Sequence, residues 1–304
     1  IGINHNGDMK LAKKTILAAK TSGASAVKFQ NYKTEDFLVC KNLKHTYTSQ
    51  GKEVSEPQYE MFKRYELSDE QVRELKEFCD ENEIDFHSTP TSFSGVDLLK
   101  DIGVSVLKNG SDFFTNLELI EYMGKTGLPT VLSTGMATVS EIDEAVRTFR
   151  STGNNNLILL HCTSSYPTLP EDVNLKKINT LRASFNAIVG FSDHSRDVWA
   201  AVCSVMYNSA WIEKHFTLDK TLPGPDHQFS CDPEELKRLV EGVRVIEKSI
   251  GGETLGPTLG EETSREGFRL SCASKVDLKK GDIIARGDII FVRPGTGIPP
   301  KDIG

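Results

Sequence analysis

Two histidines, His194 and His215, each end an apolar run that reads as a β-strand. The runs are Ala-Ile-Val-Gly-Phe-Ser-Asp-His (187–194) and Trp-Ile-Glu-Lys-His-Phe-Thr (211–217). One amphipathic segment, Val198 to Ala210, lies between them and is long enough for a single helix. Strand, helix, strand makes the two runs parallel neighbours, roughly 4.8 Å apart in a sheet. Two imidazoles at the same end of adjacent strands can share one divalent metal. Two lysines join them: Lys28 near the end of the run Ala26–Gln30, and Lys108 near the end of Val104–Gly110. A protein of net charge −7 that gathers ammonium groups at one mouth is suited to a multiply charged anion, phosphate foremost. Several small hydroxyls close to the other run ends, together with loop N–H groups, would complete its shell.

The elements that must position these groups are legible as an alternation. Strand candidates are residues 1–4, Ala26–Gln30, Asp85–Thr89, Val104–Gly110, Thr130–Thr134, Leu157–Thr163, Ile188–Ser192 and Trp211–Phe216. Amphipathic helices lie between them. Ser68-Asp69-Glu70-Gln71 and Thr138-Val139-Ser140-Glu141 fit the capping box, in which a hydroxyl caps the first turn and a carboxyl or amide reaches back. Eight β–α units within residues 1–250 match the count and usual size of a (β/α)8 TIM barrel, whose chemistry sits at the C-terminal ends of its strands. An open doubly wound sheet is the rival architecture, weakened by the absence of a GxGxxG turn. The stretch from Gln30 to Ser68 is a long polar and aromatic connection leaving the end of the second run. It is expected to fold over the mouth, because such loops are more often functional than idle. From residue 251 the composition turns to Gly, Pro and Thr, a linker over 251–265, followed by a small β module over 266–304. The chain opens abruptly in Ile1-Gly2-Ile3-Asn4, so preceding residues are expected, and the small module reads as cut short.

Bulk composition narrows the functions. The charge of −7 argues against nucleic acid or an anionic membrane as the main partner. No apolar stretch approaches the roughly 20 residues of a membrane span. The six cysteines show no CxxC spacing, which suggests reduced, mostly buried thiols in a cytoplasmic protein. Ser192-Asp193-His194 is no hydrolase triad, since successive strand residues face opposite ways. His45, His87 and His161 read as core or loop residues. Glu213 stands two residues before His215 and so shares its face. It is the candidate carboxylate for positioning water or moving a proton near the metal, and a salt bridge to a barrel lysine is the plainer alternative.

The order of motifs then becomes recognisable. Ile-Gly-Ile-Asn-His-Asn-Gly-Asp (1–8), Val-Lys-Phe-Gln (27–30), Leu-Ser-Thr-Gly-Met (132–136) and Leu-His-Cys-Thr-Ser-Ser-Tyr-Pro (160–167) come first. Gly-Phe-Ser-Asp-His-Ser (190–195), Ile-Glu-Lys-His-Phe-Thr-Leu-Asp (212–219) and Gly-Pro-Asp-His (224–227) follow. This string resembles the sialic acid synthase family, which includes the N-acetylneuraminate, legionaminate and pseudaminate synthases, over essentially the whole chain. The tail, with Lys279-Lys280-Gly281-Asp282 and Arg293-Pro294-Gly295-Thr296-Gly297, resembles the start of the family's antifreeze-like (SAF) domain.

The resemblance implies a metal-dependent transferase. It would condense phosphoenolpyruvate with an open-chain N-acyl hexosamine, releasing phosphate and giving a nine-carbon 2-keto acid. Lys28, Lys108, Ser111, Ser133, Ser164 and Ser192 would hold the phosphoenolpyruvate. His194 and His215 would bind Mn²⁺ or Mg²⁺, and Gln30, Tyr166 and Asp226 would face the sugar. Arg293 would reach into the barrel of a second protomer, implying a domain-swapped homodimer. The acceptor would be N-acetylmannosamine or a 2,4-diacetamido-6-deoxy hexose. Two departures stand out. The family's acidic residue before Ile-Gly-Ile-Asn lies ahead of Ile1, and Phe113 occupies a position usually acidic, leaving Asp112 as a partial substitute. A catalytically impaired carbohydrate-binding homologue is therefore one alternative. Another phosphoenolpyruvate-using 3-deoxy-sugar synthase would need further basic residues, and no extra Lys/Arg cluster appears at the strand ends.

Overall fold

Short apolar runs buried on both faces require helices on either side or a closed sheet. The computed structural model describes residues 1–303 and divides into two compact units, Ile1–Ile250 and the chain from Gly251 onward. In the first unit the strands are β1 Ala26–Asn31, β2 Lys44–Ser49, β3 Lys52–Pro57, β4 Asp85–Pro90, β5 Leu107–Asn109, β6 Thr130–Ser133, β7 Leu157–Cys162, β8 Ile188–Asp193 and β9 Ile212–Lys214. β1 pairs with β4, and β5 to β9 pair in chain order, all parallel. β4 and β5 lie side by side without a shared ladder. The result is a curled parallel sheet with helices outside, the α/β arrangement expected of a barrel.

The alternation along each strand sorts core from site. In β1, Val27 and Phe29 are buried under the helices while Lys28 and Gln30 face the other way. Val106, Val131 and Leu160, with Ile158 and Trp211, form a separate small cluster. Strand alternation puts it on the same faces as Lys108, Ser133 and Cys162, as an apolar floor beneath the strand ends. Leu132, Leu159 and Val189 instead pack outward against Ile142, Val146, Phe149 and Leu181. Both expected capping boxes form, at Ser68 with Gln71 and at Thr138 with Glu141.

Several expectations are corrected, among them the strand read as Trp211–Phe216, which shortens to β9, Ile212–Lys214. Residues 1–4 are a turn, not a strand. Gly2 and Gly7 take left-handed conformations, as does Asn6 (φ 56°, 74° and 52°), and successive turn bonds from Asn4, Asn6 and Asp8 replace a ladder. Only Ile1 and Gly2 reach the Lys28 carbonyl, and Asn4 Nδ2 reaches the Phe216 carbonyl at 2.9 Å, so seven parallel strands form rather than eight. The helix expected from Val198 to Ala210 runs only from Trp199 to Ser204. A 3-10 turn follows and ends on left-handed Asn208. The strand read as Val104–Gly110 shortens to β5, Leu107–Asn109. The long connection after β1 is structured: it holds a short helix Thr34–Phe37, the antiparallel hairpin β2–β3 and a helix Gln58–Tyr65.

In the second unit a helix, Glu262–Phe268, begins inside the stretch read as linker. Two short antiparallel strands follow, β10 Ser271–Ser274 and β11 Ile289–Val292. Among the described residues all six cysteines are unpaired, and only Cys79, Cys162 and Cys231 are buried. No helix among the described residues is long and apolar enough to cross a membrane.

Candidate active site

The C-terminal ends of β1, β5, β6, β8 and β9 bring five predicted residues into direct contact. Lys108 Nζ, fully buried, donates to Ser133 Oγ at 2.8 Å and lies 3.6 Å from Glu213 Oε1. Lys28 Nζ donates to Thr89 Oγ1 at 3.3 Å and stands the same 3.6 Å from Glu213 Oε1. Ser192 Oγ approaches that oxygen at 3.5 Å. Burial alone would raise the Glu213 carboxyl, but the Lys108 and Lys28 ammonium groups hold it down to about 2. Burial draws Lys108 below the ordinary amine range, with the Glu213 carboxylate opposing that shift. One carboxylate between two ammonium groups leaves an excess positive charge in a largely buried pocket, which favours an anion. The salt-bridge reading of Glu213 is thus realised in the geometry. Its second oxygen, Oε2, is buried without a partner.

Beside this pair the Ser133-Thr134-Gly135-Met136 turn builds a cradle. Ser111 Oγ accepts the Gly135 N–H at 3.1 Å, and Ser164 Oγ is buried without a partner. A Cβ at position 135 would lie 2.3 Å from Ser164 Oγ and 2.6 Å from Ser111 Oγ. Only glycine lets the two hydroxyls approach so closely, so it defines a small polar hollow over the lysines.

The imidazoles of His194 and His215 are neighbours, with ring centroids 5.3 Å apart. His194 Nδ1 bonds the Thr163 carbonyl at 2.8 Å, which leaves Nε2 for another partner. His215 Nδ1 is buried without a hydrogen bond and faces Asp226 Oδ2 at 3.5 Å. Burial, reinforced by His194, pushes His215 well below the usual imidazole range and so keeps it neutral. Among the described residues no preformed group of three or more His, Cys, Asp or Glu side chains surrounds an ion position. Two imidazoles, one oriented by a backbone carbonyl and one kept neutral by burial with an orphaned nitrogen, do fit a divalent metal with open coordination positions. Tyr166 lies against them, 4.3 Å from His194 and 6.1 Å from His215 between centroids. Burial raises Asp226 to about 6, against the pull of His194.

Gln30, Lys28, Glu213 and His215 are among the lining of a cavity of about 410 Å³ that also runs past Ala19, Gly23, Leu239 and Val243 on the helix side. Arg293 lies in the second unit, where its Nε donates to the Phe268 carbonyl at 3.1 Å and its guanidinium covers the Phe268 ring. Phe113 turns toward Phe37 of the long connection, with centroids 6.0 Å apart. Four contributors had no role assigned from sequence. Thr89 supports Lys28, Thr163 orients His194, and Phe229 packs 5.2 Å from the His215 ring. Cys162 lies 3.6 Å from Ser111 Oγ and 3.9 Å from His194 Nδ1. Thr89, Cys162 and Thr163 sit at strand ends, where position was a usable signal. Phe229 follows Asp226 by three residues and carried none.

Paired lysines, a hydroxyl-lined hollow and paired imidazoles thus share the C-terminal strand ends of one curled parallel sheet, an α/β protein with a polar strand-end site. The profile of the NeuB family matches residues 15–254, and the chain belongs to that family, the sialic acid synthases. It is 44% identical to an uncharacterised protein of Methanocaldococcus jannaschii, over 99% of this chain and 85% of that one. It is 42% identical to an N,N'-diacetyllegionaminic acid synthase of Legionella pneumophila, over 99% and 86%. The crystal structure of an N-acetylneuraminic acid synthetase from Leptospira borgpetersenii superposes with a TM-score of 0.77 at 35% identity, covering 86% of this chain and 87% of that one.

Proposed function

We propose that the protein is a nonulosonic acid synthase that condenses phosphoenolpyruvate with an open-chain N-acyl hexosamine. The observation that carries this reading is the convergence of the anion hollow and the paired imidazoles at one strand-end face. The overall reaction joins the methylene carbon of the enol to the sugar aldehyde carbon. Water adds at the former enol carbon, and the bond from that carbon to the phosphate oxygen breaks, giving a 2-keto acid and inorganic phosphate.

Lys28 and Lys108 would neutralise the carboxylate and phosphate, with Ser111, Ser133, Ser164 and Ser192 supplying hydroxyl donors. A Mn²⁺ or Mg²⁺ ion held by His194 and His215 would supply Lewis-acid polarisation of the aldehyde oxygen. Glu213, a carboxylate facing both lysines, would orient the incoming water or move a proton near the metal. Gln30, Tyr166 and Asp226 would bind the sugar. Arg293, entering from a second protomer of a domain-swapped dimer, would meet the N-acyl group, and the second unit would be the start of an antifreeze-like domain. The higher identity to the legionaminic relative, 42% against 35% for the N-acetylneuraminic structure, supports a 2,4-diacetamido-6-deoxy hexose as acceptor over N-acetylmannosamine.

The test is phosphate release from phosphoenolpyruvate with Mn²⁺ and each sugar, with a chelator control and a His215→Ala variant. Release that needs metal and the diacetamido sugar, and is lost in the variant, supports the whole reading. Release with N-acetylmannosamine alone moves the acceptor. Phosphate that appears equally with chelator or in the variant removes the metal from the mechanism.

A further inference from the structure

β9 is only three residues long, and its ladder with β8 ends at the pair Asp193–Lys214. The two imidazoles therefore stand one residue beyond the last registered backbone pair. Beyond it the His194 carbonyl accepts the Thr168 N–H at 2.9 Å and the His215 carbonyl the Cys231 N–H at 2.7 Å, bonds that hold each strand end but do not join one to the other. Lys214 and Asp193 alternate with His215 and His194, so their side chains leave the strands on the opposite face. There the Lys214 ammonium lies 2.8 Å from the Asp193 carboxylate, with the two side chains 4% and 0% exposed. The same ammonium donates to the Ser195 carbonyl and, at 2.9 Å, to the Asp197 carbonyl. Asp193 Oδ1 accepts the Ser195 N–H at 2.9 Å. The network is closed and satisfied, and it ties β9 to the turn that immediately follows His194.

A buried ion pair is weak evidence for stability, because apolar residues of equal volume fill such a space as well or better. What an apolar pair cannot do is hold the Ser195 and Asp197 carbonyls. We infer that Asp193 and Lys214 are positioning residues. They clamp the 195–197 turn to β9 and thereby fix His194 and His215 at the separation needed to share one metal ion. The inference rests on the metal reading above, and neither side chain touches the ion.

The experiment compares Mn²⁺ binding, followed by the EPR signal of free Mn²⁺, in the wild type, His194→Ala, His215→Ala and the double variant Asp193→Leu/Lys214→Met. Thermal melting and the visible spectrum of the Co²⁺-loaded protein are recorded alongside. The double variant is expected to melt a few degrees below the wild type, because the buried Ser195 amide and its carbonyl lose their partners, to bind Mn²⁺ about ten-fold more weakly and to show an altered Co²⁺ spectrum. Wild-type Mn²⁺ affinity with an unchanged Co²⁺ spectrum in the double variant overturns the clamp, even where the melting temperature falls. Loss of Mn²⁺ binding in the two histidine variants shows that the metal reading stands in that case. Binding that survives both of them overturns the metal reading and the clamp with it. Should the double variant not fold, Asp193→Asn/Lys214→Met keeps an acceptor for the Ser195 amide, and it is judged by the same readouts and criteria.

Discussion

Gly135 shows how much of this site hangs on single atoms. It takes no unusual backbone angle, yet a methyl group there would collide with two hydroxyls, at 2.3 and 2.6 Å. Gly135→Ala should therefore fill the hollow without unfolding the barrel. Overpacking of this kind costs the fold about 1–3 kcal/mol, so the melting temperature should fall by several degrees, and KM for phosphoenolpyruvate should rise about ten-fold or more as the methyl group displaces the two hydroxyls. A KM unchanged in steady-state phosphate release would show that the anion binds elsewhere. Lys108→Met removes a charge donor but leaves Glu213 paired with Lys28. Its kcat/KM for phosphoenolpyruvate should fall by about 10²- to 10³-fold with the protein still folded, and an unimpaired value would remove Lys108 from the reaction. At this scale the sequence was most readable where strand position alone settles direction. His194 and His215 had to meet because a β–helix–β unit makes its strands parallel neighbours. Lys28 and Lys108 had to face inward because the apolar residues beside them face the helices. The cradle itself was not readable, since the approach of Ser111 and Ser164 across Gly135 depends on two turns from different strands.

The elements around the mouth explain what the pattern concealed. Ile1 and Ile3 alternate as strand residues do and both are buried, but left-handed Gly2, Asn6 and Gly7 turn the segment into successive bends. In the connection after β1, the run Lys44-His45-Thr46-Tyr47-Thr48-Ser49 alternates without an apolar face, so it reads as loop. The informative signal was Gln50-Gly51, both left-handed (φ 51° and 72°), which suits the two-residue turn of a twisted hairpin. That hairpin reaches over to the segment bearing Asp226. Ser49 Oγ accepts the Gly224 N–H at 3.1 Å, and Gln50 Nε2 donates to the Thr221 carbonyl at 2.9 Å. The segment is braced from its other side by Asn6, which meets His227 Nε2 and the Pro223 carbonyl. Removing the hairpin brace alone, in Ser49→Ala/Gln50→Ala, should loosen Asp226 while leaving the lysines and serines in place. The expected result is a KM for the sugar raised about three- to ten-fold, the size of one or two hydrogen bonds, with KM for phosphoenolpyruvate unchanged. An equal rise in both constants would mean that the hairpin supports the whole mouth rather than the sugar side.

For the molecule as a whole, the neutral histidines set the response to acid. His5 stacks near Phe29, His87 lies against Trp211, and His227 bridges Thr217 and Asn6. Burial depresses each of the three from 6.5 to about 4. Each therefore binds a proton in the unfolded chain before it does so in the fold. Between pH 6.5 and 4 the unfolded state holds more protons, and stability rises with pH through that window and is lost as pH falls. Asp226 works in the opposite direction, because its carboxyl, raised to about 6 by burial, takes up a proton in the fold first. His161 and His215 are depressed by burial as well, while His194, whose burial is outweighed by its bond to Cys162, is raised, so the balance stays with acid destabilisation. Each proton difference contributes a slope of up to ~1.4 kcal/mol per pH unit. The unfolding free energy should accordingly fall by about 2–4 kcal/mol between pH 7 and pH 5, above the range where ordinary carboxylates titrate. Urea unfolding at pH 7, 6 and 5, followed by tryptophan fluorescence, measures it directly. His227→Asn should flatten the dependence by close to one proton, since the amide can still hydrogen-bond but cannot titrate. A free energy that stays level or rises toward pH 5 would mean that these histidines are already protonated inside the fold. The bonds from Thr217 and Asn6 to His227 would then need a different assignment of donors and acceptors.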